Sequence, residues 1–313
     1  MNNPTNHIRV IIHFLFIGLV LLAPAPVGAG APDLPAHDWN PANLARIQSL
    51  NLKDPVAFAV FGDSRNNAPV FERLLQQVNR DKDIKFALHL GDLVDYSDLG
   101  QYRLFFQQVR EHLTIPLLAA VGNHELHKDT TGLYSRLFGP KYYSFRVHNH
   151  YFLVLEATKA GGLDEAQLRW LEAELQKARA CQTRLVFMHT PLCDPRGGDH
   201  RHCLAGESAA RVLCLLKKYQ VSHVFAGHIH AYFAGKMEGI PYTITGGAGA
   251  TLYREVPSAG FYNFLTVTLS GNRVSIEVHR VDESAKSSLG RELEIFGALA
   301  PGKIQLEGAY ASN

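Results

Sequence analysis

The tetrapeptide Gly122-Asn123-His124-Glu125 follows an apolar run, residues 115–121, that has the character of a buried strand. Asparagine and histidine placed directly after a strand end pack poorly, but they are good ligands. Four more short apolar runs lead into polar residues in the same way, at Gly62-Asp63, Gly91-Asp92, His189 and Gly227-His228-Ile229-His230. In open α/β sheets, ligand sites gather at the carboxyl ends of the strands. The pattern therefore predicts that five strand ends meet at one site.

Apolar spacing between these runs predicts helices. Val70, Leu74, Leu75 and Val78 recur at helical spacing after the first strand. Further helices are predicted over residues 99–113, from an N-cap at Asp164 through Ala178, and over 207–219. The β-α-β-α-β order predicts mainly parallel strands, and a period of two around Gly271-Asn272 predicts a hairpin. The chain is predicted to be an α/β protein whose central sheets are flanked by helices.

Composition narrows the classes of function. The chain has 313 residues, which predicts one large domain or two small ones, and its 46% hydrophobic and 19% charged residues are ordinary for a globular protein. Lys plus Arg number 31 against 29 Asp plus Glu, so there is no basic field. Nucleic acid is therefore not expected as a main partner. Nothing in the sequence indicates an oligomeric state.

The N-terminus has the features of an export signal. Arg9 precedes an apolar stretch, residues 11–22, and small residues suited to cleavage follow up to Ala29. The stretch is shorter than the roughly 20 residues of a spanning helix. We predict a periplasmic or secreted chain without a stable membrane span after cleavage, an uncleaved anchor being the alternative. The predicted divisions are a signal peptide (1–29), a leader (30–54), the main domain (55–285) and its C-terminal extension (286–313).

Four cysteines fit an exported protein, in which disulfides persist. Cys193 and Cys203 bracket a loop with little apolar surface of its own, and a bridge between them is predicted to hold it. Cys181 and Cys214 are equally compatible with a second bridge and with buried free thiols. No Cys-x-x-Cys pair occurs, which disfavours a zinc site built on cysteine.

The polar residues at the strand ends are the ligand types that borderline and hard metal ions prefer, a mixture of carboxylate, amide oxygen and imidazole. They are Asp63, Asp92, Asn123, His189, His228 and His230. Two histidines one residue apart allow one turn to face two ions. A carboxylate such as Asp92 can bridge ions roughly 3.5–4 Å apart, the spacing used for in-line displacement at phosphorus.

In order and spacing these motifs resemble those of the calcineurin-like metallophosphoesterase superfamily. The matching segments are Gly62-Asp63-Ser64-Arg65, Gly91-Asp92-Leu93-Val94-Asp95, Gly122-Asn123-His124-Glu125, His189-Thr190 and Gly227-His228-Ile229-His230. The resemblance covers roughly residues 56–249 and implies a layered α/β/β/α sandwich. As an ordered set the motifs are highly specific, although each alone would be weak.

The resemblance also implies a role for each matching position. One metal ion would be held by Asp63, Asp92 and His230, and the other by Asp92, Asn123, His189 and His228. The ions would be divalent or mixed-valence Mn, Fe or Zn. A hydroxide between them would attack phosphorus, while His124 would contact the phosphate and protonate the leaving oxygen. Glu125 is expected to orient a ligand rather than to bind metal.

Position 65 departs from the family, which usually has a metal-ligating histidine there. Arg65 has no lone pair to donate. Three explanations are open: water or Asp95 completes the first metal site, that metal is held weakly, or Arg65 binds the substrate phosphate. Purple acid phosphatases also lack this histidine and use a tyrosine three residues after the second aspartate. Here that place is Asp95, with Tyr96 one residue further.

Other histidines are predicted to be structural. His89 and His223 lie inside apolar runs and are expected in the core, and His200 and His202 are expected in a solvated loop. The sequence thus predicts an exported phosphoesterase that acts on phosphate esters with two metal ions. Its alternatives are an enzyme like the purple acid phosphatases and a non-catalytic protein that binds a phosphorylated ligand after losing turnover with the missing histidine.

Overall fold

The protein is described by a computed structural model over residues 34, 38–158, 162–197, 202–253, 255–256 and 258–281, and by backbone alone over 291–294. The predicted signal peptide and His200 lie outside the described residues. So does the predicted C-terminal extension, apart from residues 291–294. Within the part that is described, no helix is both long and apolar enough to cross a membrane.

The described residues contain twelve strands. In chain order they are Val56–Phe61 (β1), Ile84–His89 (β2), Leu117–Ala119 (β3), Tyr143–Val147 (β4), His150–Val154 (β5), Thr183–Met188 (β6), His223–Ala226 (β7), Tyr232–Met237 (β8), Ile240–Thr245 (β9), Asn263–Ser270 (β10), Arg273–Arg280 (β11) and Arg291–Glu294 (β12). They form two six-stranded sheets, ordered β12-β11-β10-β1-β2-β3 and β4-β5-β6-β7-β9-β8. All five strands that carry the predicted ligands are present.

Both sheets are mixed rather than wholly parallel. Strands β1, β2 and β3 run parallel, as the sequence predicted, and so do β5, β6, β7 and β9. The hairpin β10–β11 joins the first sheet through an antiparallel pairing of β10 with β1. The hairpin β8–β9, which the sequence did not predict, ends the second sheet.

Seven α-helices lie in the described part of the chain. They are Trp39–Ser49 (α1), Ala68–Arg80 (α2), Leu99–His112 (α3), Asn123–Leu126 (α4), Leu133–Phe138 (α5), Glu165–Lys177 (α6) and Gly206–Lys218 (α7), with a 3₁₀ turn at Ala178–Ala180. Side chains that accept backbone N–H groups define three of the starts, at Asn67 before α2, at Asp98 before α3 and at the predicted N-cap Asp164 before α6.

Three apolar cores give the layer order. Phenylalanines from both sheets, including Phe58, Phe86, Phe152 and Phe187, pack between the sheets with ring centroids 5.0–6.1 Å apart. The outer face of the first sheet packs on α2, α3 and α5, and that of the second on α6 and α7. The predicted α/β/β/α sandwich is confirmed.

Helix α1 lies in the segment that was predicted only as a leader, without a helix. The Asn40 amide both donates to the carbonyl oxygen of Ala119 (3.0 Å) and accepts from its N–H (2.9 Å), and Trp39 Nε1 donates to Leu117 O (2.7 Å). The helix therefore hydrogen-bonds along β3 through its side chains. Its buried face includes Asn40 and Asn43, so its apolar periodicity is weak and does not predict a helix.

A buried histidine–carboxylate pair joins the amino-terminal ends of strands from both sheets. His150 Nε2 lies 2.6 Å from Asp54 Oδ1, and His150 Nδ1 lies 2.9 Å from the Thr183 hydroxyl. Asp54 Oδ2 in turn accepts from the N–H of Gly271 in the β10–β11 turn (2.9 Å). Every polar side-chain atom of this pair therefore has a partner.

Candidate metal centre

The carboxyl ends of β1, β2, β3, β6 and β7 meet, as the sequence predicted. Two groups of side chains have ligand atoms within 4.8 Å of one another, and both contain Asp92. One group is Asp63, Asp92 and His230, and the other is Asp92, His189 and His228. Asn123 joins the second group, because its Oδ1 lies 2.9 Å from His189 Nε2.

Three of these residues have left-handed backbone conformations that non-glycine residues rarely adopt. The φ angles are 62° at Asp63, 56° at Asp92 and 66° at His228. Each lies in the turn that leaves its strand. A conformation of this kind costs of order 1–3 kcal/mol and persists where the surroundings hold it. Three such residues at one place mark a site rather than a loop of ordinary packing.

Glycines allow the turns to approach one another. A Cβ on Gly227 would lie 2.6 Å from Asp63 Oδ2, and one on Gly122 would overlap the backbone nitrogen and the side chain of Asp92. Both positions therefore require glycine for close approach rather than for an unusual φ angle. The spacing of the motifs in sequence thus translates into contact between the turns.

His189 is held at one ring nitrogen and faces other candidate ligands at the second. Its Nδ1 donates to the carbonyl oxygen of Leu90 (2.9 Å), which can only accept. Nε2 then faces two further acceptors, Asn123 Oδ1 at 2.9 Å and Asp92 Oδ1 at 3.3 Å, and the Nδ1 atom of His228 at 3.1 Å. A cation among these atoms would bind all of them.

His230 repeats this arrangement in the other group. Its Nδ1 donates to the carbonyl oxygen of Thr251 (2.8 Å), and its Nε2 lies 3.4 Å from Asp63 Oδ1. Burial opposes protonation of the ring, but the hydrogen bond with Asp63 and the charge of that carboxylate outweigh it and raise the pKa of His230, so a metal ion would displace a proton there. Asp63 also accepts from the backbone N–H of His228 at 2.9 and 3.2 Å. Nitrogen and oxygen donors converge on both groups, which fits Mn, Fe or Zn ions.

Burial and charge set the protonation states without bound ions. Burial opposes the charge of Asp63, but the hydrogen bond with His230 and the nearby histidines outweigh it and lower the pKa of Asp63 to about 2. Burial lowers the pKa of His228 to about 3, with the ring of His189 adding to the effect. The ionised carboxylate and the neutral imidazole are the forms that bind metal.

His124 is fixed by the loop after β2. Its Nδ1 lies 2.5 Å from the carbonyl oxygen of Asp95, so this nitrogen donates, and its backbone N–H donates to Asp92 Oδ1 (3.1 Å). Nε2 lies 3.7 Å from Asp92 Oδ2. The ring thus stands beside the shared carboxylate with one nitrogen still available to a substrate.

Arg65 bridges two carboxylates at the position of the missing histidine. Its Nη1 donates to Asp95 Oδ1 (2.8 Å), and its Nε lies 3.5 Å from Asp92 Oδ2. Only 15% of the Arg65 side chain is exposed. Asp95 Oδ1 thus already accepts a hydrogen bond from Arg65, so this oxygen is less available to replace the missing metal ligand. The neighbouring Tyr96 is 43% exposed and lies against Lys128.

Glu125 binds the backbone rather than a metal. Its carboxylate accepts the N–H groups of Gly122 (2.6 Å), Asp92 (2.8 Å), Leu93 (2.8 Å) and Val94 (3.2 Å). Burial and then the charge of Asp92 raise the pKa of Glu125, while these N–H groups oppose the rise. Both oxygens are occupied, so of the two roles considered for Glu125 the geometry favours the one that orients the Asp92 turn.

The polar loop after β6 is held by an ion pair. Cys193 and Cys203, which were predicted to be bridged, are free thiols in this structure, as are Cys181 and Cys214. Cys193 packs against the second-sheet core and has a hydrogen-bonding contact with Tyr242. Asp194 and Arg196 form a bidentate pair at 3.0 and 2.8 Å, with side chains 2% and 4% exposed. The loop therefore has a buried fixing point that its composition did not suggest.

Sequence reasoning missed several neighbours of the site. Tyr253 stacks on the ring of His230 with centroids 4.9 Å apart, and His202 lies 5.5 Å from the ring of His228. His202 had been expected in a solvated loop. His89 is buried as predicted, but it also lies 2.9 Å from the hydroxyl of Ser64 beside Asp63. Only long-range contacts link these residues to the site, and no local motif signals them.

Comparison with known proteins settles the family. A family model described as calcineurin-like phosphoesterase matches residues 56–232, which is more than half of the chain. The chain belongs to this family. The predicted resemblance is confirmed. The matched segment of this phosphoesterase contains all six predicted metal ligands together with Arg65 and His124.

Two curated relatives and one solved structure illustrate the similarity. Human serine/threonine-protein phosphatase CPPED1 is 25% identical over 194 residues, covering 57% of this chain and 60% of that protein. The Fe(3+)-Zn(2+) purple acid phosphatase 12 of Arabidopsis thaliana is 30% identical over 179 residues, covering 56% of this chain and 36% of that protein. A dimetal phosphatase from Danio rerio has the same fold, with a TM-score of 0.60, 19% identity and coverage of 77% of this chain and 99% of that one.

Proposed function

We propose that this phosphoesterase hydrolyses phosphate esters with two metal ions, one held by Asp63, Asp92 and His230 and the other by Asp92, Asn123, His189 and His228. The observation that carries the proposal is the convergence of two groups of ligand atoms, each within 4.8 Å of one another and both containing Asp92, with Asn123 Oδ1 beside the second group. Carboxylate, amide oxygen and imidazole together are the ligand types that Mn, Fe and Zn ions accept. Family membership and relatives that are named phosphatases support phosphorus as the reacting centre.

Metal ions at such a site polarise phosphoryl oxygens and lower the pKa of bound water. The chain's own residues then have four tasks, carried by Glu125, Asn123, His124 and Arg65. Glu125 fixes the turn that carries Asp92, and through it the side chain that both groups share. Asn123 offers a neutral oxygen, which adds a ligand without adding negative charge where a phosphate must approach.

His124 supplies the proton for the leaving oxygen. The Asp95 carbonyl occupies Nδ1 and sets the direction of the ring, so Nε2 is the nitrogen available to a substrate. A donor placed where charge develops contributes typically 10²–10⁴-fold to the rate. The protonated ring would lose its Nε2 proton to the alkoxide as the bond to phosphorus breaks.

Arg65 binds a non-bridging phosphate oxygen. Its Nη1 is held by Asp95 and its Nε faces Asp92, which offsets the cation's repulsion of a nearby metal ion. We expect Arg65→Ala to lower kcat/KM about 10- to 100-fold, the range for a charge-assisted hydrogen bond, without emptying the second metal site. Arg65→His should raise the occupancy of the first metal site. Unchanged kinetics in Arg65→Ala would make Arg65 a bystander.

Turnover of aryl phosphate monoesters and diesters, measured beside the metal content of the purified protein, tests the proposal. We expect hydrolysis that a chelator abolishes and that Mn²⁺, Fe²⁺ or Zn²⁺ restores. A protein that binds two ions and a phosphate ester but turns over neither class of substrate would instead be the non-catalytic binding protein. Absence of tight metal binding would reject the assignment of the ligands.

We also propose that the protein is exported. The support is the apolar stretch at residues 11–22, its preceding Arg9 and the small residues up to Ala29. Fractionation of cells that express the full chain, with N-terminal sequencing of the product, tests this. Export predicts a mature chain that begins near residue 30, whereas an intact N-terminus in the cytoplasmic fraction would refute it.

A further inference from the structure

The loop after β6 reaches both histidines of the Gly227-His228-Ile229-His230 turn. We name four residues the Asp194 clamp: Asp194, Arg196, His202 and Tyr253. None of them is among the predicted ligands. They connect a buried ion pair to one histidine from each group of candidate ligands: Tyr253 contacts His230, and His202 contacts His228.

The ion pair organises the clamp. Asp194 accepts the Arg196 guanidinium at two atoms, and it also accepts the backbone N–H groups of Arg196 and His202, both at 3.1 Å. With both side chains almost fully buried, the carboxylate holds the two ends of the loop together. A bidentate Arg–carboxylate pair fixes orientation as well as position.

Tyr253 connects the ion pair to His230. The Arg196 guanidinium lies over one part of the Tyr253 ring, 4.8 Å from its centroid, and the ring stacks on His230 with an interplanar angle of 29°. The Tyr253 N–H donates to the carbonyl oxygen of His230 (3.0 Å). The Thr251 carbonyl oxygen holds the His230 ring at Nδ1, and the Tyr253 ring packs on the face of the same ring.

His202 connects the ion pair to His228. Its backbone N–H is held by Asp194, its Nδ1 lies 3.5 Å from the Tyr253 hydroxyl, and its ring packs against that of His228 at 5.5 Å. His228 Nδ1 faces His189 Nε2 at 3.1 Å. The ring of His202 thus limits how far His228 can turn away from the second group.

We infer that the Asp194 clamp is a positioning device for metal binding, in which Tyr253 orients His230 and His202 orients His228. The inference rests on the proposed metal ions. Residues that orient a metal-binding histidine typically change metal affinity 10- to 100-fold when they are replaced. The clamp would act in the same way, by ring packing in place of a hydrogen bond to the second nitrogen.

Zn²⁺ affinity in the full chain, measured by competition with a chromophoric chelator, tests the clamp without reference to turnover. Tyr253→Leu keeps apolar bulk but removes the flat ring, and we expect it to weaken one of two Zn²⁺ affinities about 10- to 100-fold. Tyr253→Phe keeps the stack and should stay within about threefold of the wild type. His202→Ala should weaken the other affinity. Arg196→Gln, which breaks the ion pair, should weaken both.

Double variants assign each effect to its group. Tyr253→Leu combined with His230→Ala should add no loss beyond His230→Ala alone, whereas its effect should add to that of His189→Ala. Arg211→Ala is the control, because it removes another bidentate Arg–carboxylate pair, with Glu165, on the surface. It should leave both affinities unchanged. Thermal melting of the metal-free proteins checks that each variant is folded.

The outcomes separate the clamp from the proposed function. A wild type that binds no Zn²⁺ would reject the proposed metal sites and the clamp with them. Two bound ions with unchanged affinities in Tyr253→Leu and Arg196→Gln would overturn the clamp and leave the metal sites standing. Equal loss in Tyr253→Phe and Tyr253→Leu would overturn the stacking argument, because the hydroxyl alone would then matter.

Discussion

Histidine and carboxylate side chains lie together at both ends of the strands, and the two places differ in how many groups converge. At the amino-terminal ends, His150 has Thr183 and Asp54 as partners, and Asp54 has the N–H of Gly271 as well. At the carboxyl ends, His230 Nε2 lies beside Asp63, and His189 Nε2 faces atoms of Asp92, Asn123 and His228 at once. The residue types are similar, yet each group has its own partner in one place and several ligand atoms converge on the same space in the other.

The difference separates a structural pair from a candidate ligand site. A matched buried network contributes to folding, because each partner replaces the water lost on burial. Two groups of nitrogen and oxygen atoms that share Asp92 instead offer a cation more ligands than one hydrogen-bonded pair contains. Convergence of ligand atoms, rather than the presence of histidine and aspartate, therefore distinguishes the two ends of these strands.

The largest expected effect is on turnover at the carboxyl ends. Asn123→Ala and His228→Ala should each lower kcat by at least about 10³-fold, since each removes a proposed ligand of the second metal site and metal ions supply several kcal/mol of stabilisation at the transition state. The variants should still fold, as judged by circular dichroism and thermal melting. Near-normal activity with full metal content in either would show that the residue is not a ligand.

A substitution at the amino-terminal ends of the strands should instead lower the free energy of unfolding. Asp54→Ala leaves His150 Nε2 and the Gly271 N–H without their partner, and we expect a loss of about 2–3 kcal/mol in the free energy of unfolding. Urea unfolding of the metal-free protein measures it. The melting shift that Zn²⁺ produces should persist in this variant. If Asp54→Ala abolished that shift, the two ends would not be independent.

His223 is a buried histidine with one hydrogen-bond partner rather than two. Its Nε2 contacts the Thr243 hydroxyl (3.0 Å), while its Nδ1 has no hydrogen-bond partner among the described residues. Burial lowers the pKa of His223 to about 3. Below pH 6.5 the unfolded chain therefore takes up a proton that the folded chain refuses, and stability falls. Between pH 7.5 and 5 this residue should cost about 2 kcal/mol.

Replacement of His223 by phenylalanine should remove that part of the acid sensitivity, since phenylalanine cannot titrate. The measurement is the free energy of unfolding in urea at the two pH values for the metal-free wild type and His223→Phe. From pH 7.5 to pH 5 the wild type should lose about 2 kcal/mol more stability than His223→Phe. Parallel losses in both would assign the acid sensitivity to other groups.

The smallest effect on stability is expected from Asp63→Asn in the metal-free protein. The amide oxygen can still accept from the His228 N–H, but the charge that the neighbouring histidines stabilise is lost, so the free energy of unfolding should fall by about 1–2 kcal/mol. Melting with and without Zn²⁺ should show a reduced metal-dependent shift, because a charged candidate ligand is lost. A full Zn²⁺ shift, as expected for Asp54→Ala, would erase the distinction between the two ends.

The site was more predictable than the elements that support it. The five strand ends and their polar residues are local in sequence, and the rule that ligands gather at carboxyl ends brings them together. Helix α1 was not predicted, because its buried face includes Asn40 and Asn43. The contribution of Asn40 to stability depends on contacts with β3, 79 residues away in sequence. An apolar pattern cannot reveal an anchor made of amides.

The ion pair that holds the loop after β6 was not predicted, for a related reason. Its composition suggested that it could not hold itself without a disulfide, yet Asp194 and Arg196 are only two residues apart and form a buried pair against Tyr253. Whether such a pair is buried depends on residues far along the chain. For Arg65, by contrast, the sequence predicted its location, at the position of the missing histidine. Its contacts with Asp92 and Asp95 could be seen only in the structure.

The hydrogen bonds from α1 to β3 have a consequence for solubility. Strand β3 ends the first sheet, and an exposed sheet edge is a template for pairing with another chain. Asn40, Tyr134 and Tyr143 all donate to the carbonyl oxygen of Ala119, so side chains occupy the edge in place of a neighbouring strand. A fragment trimmed to the family match at residue 56 would lose α1 and with it the hydrogen bonds of Trp39 and Asn40 to β3, and the more exposed edge would favour aggregation.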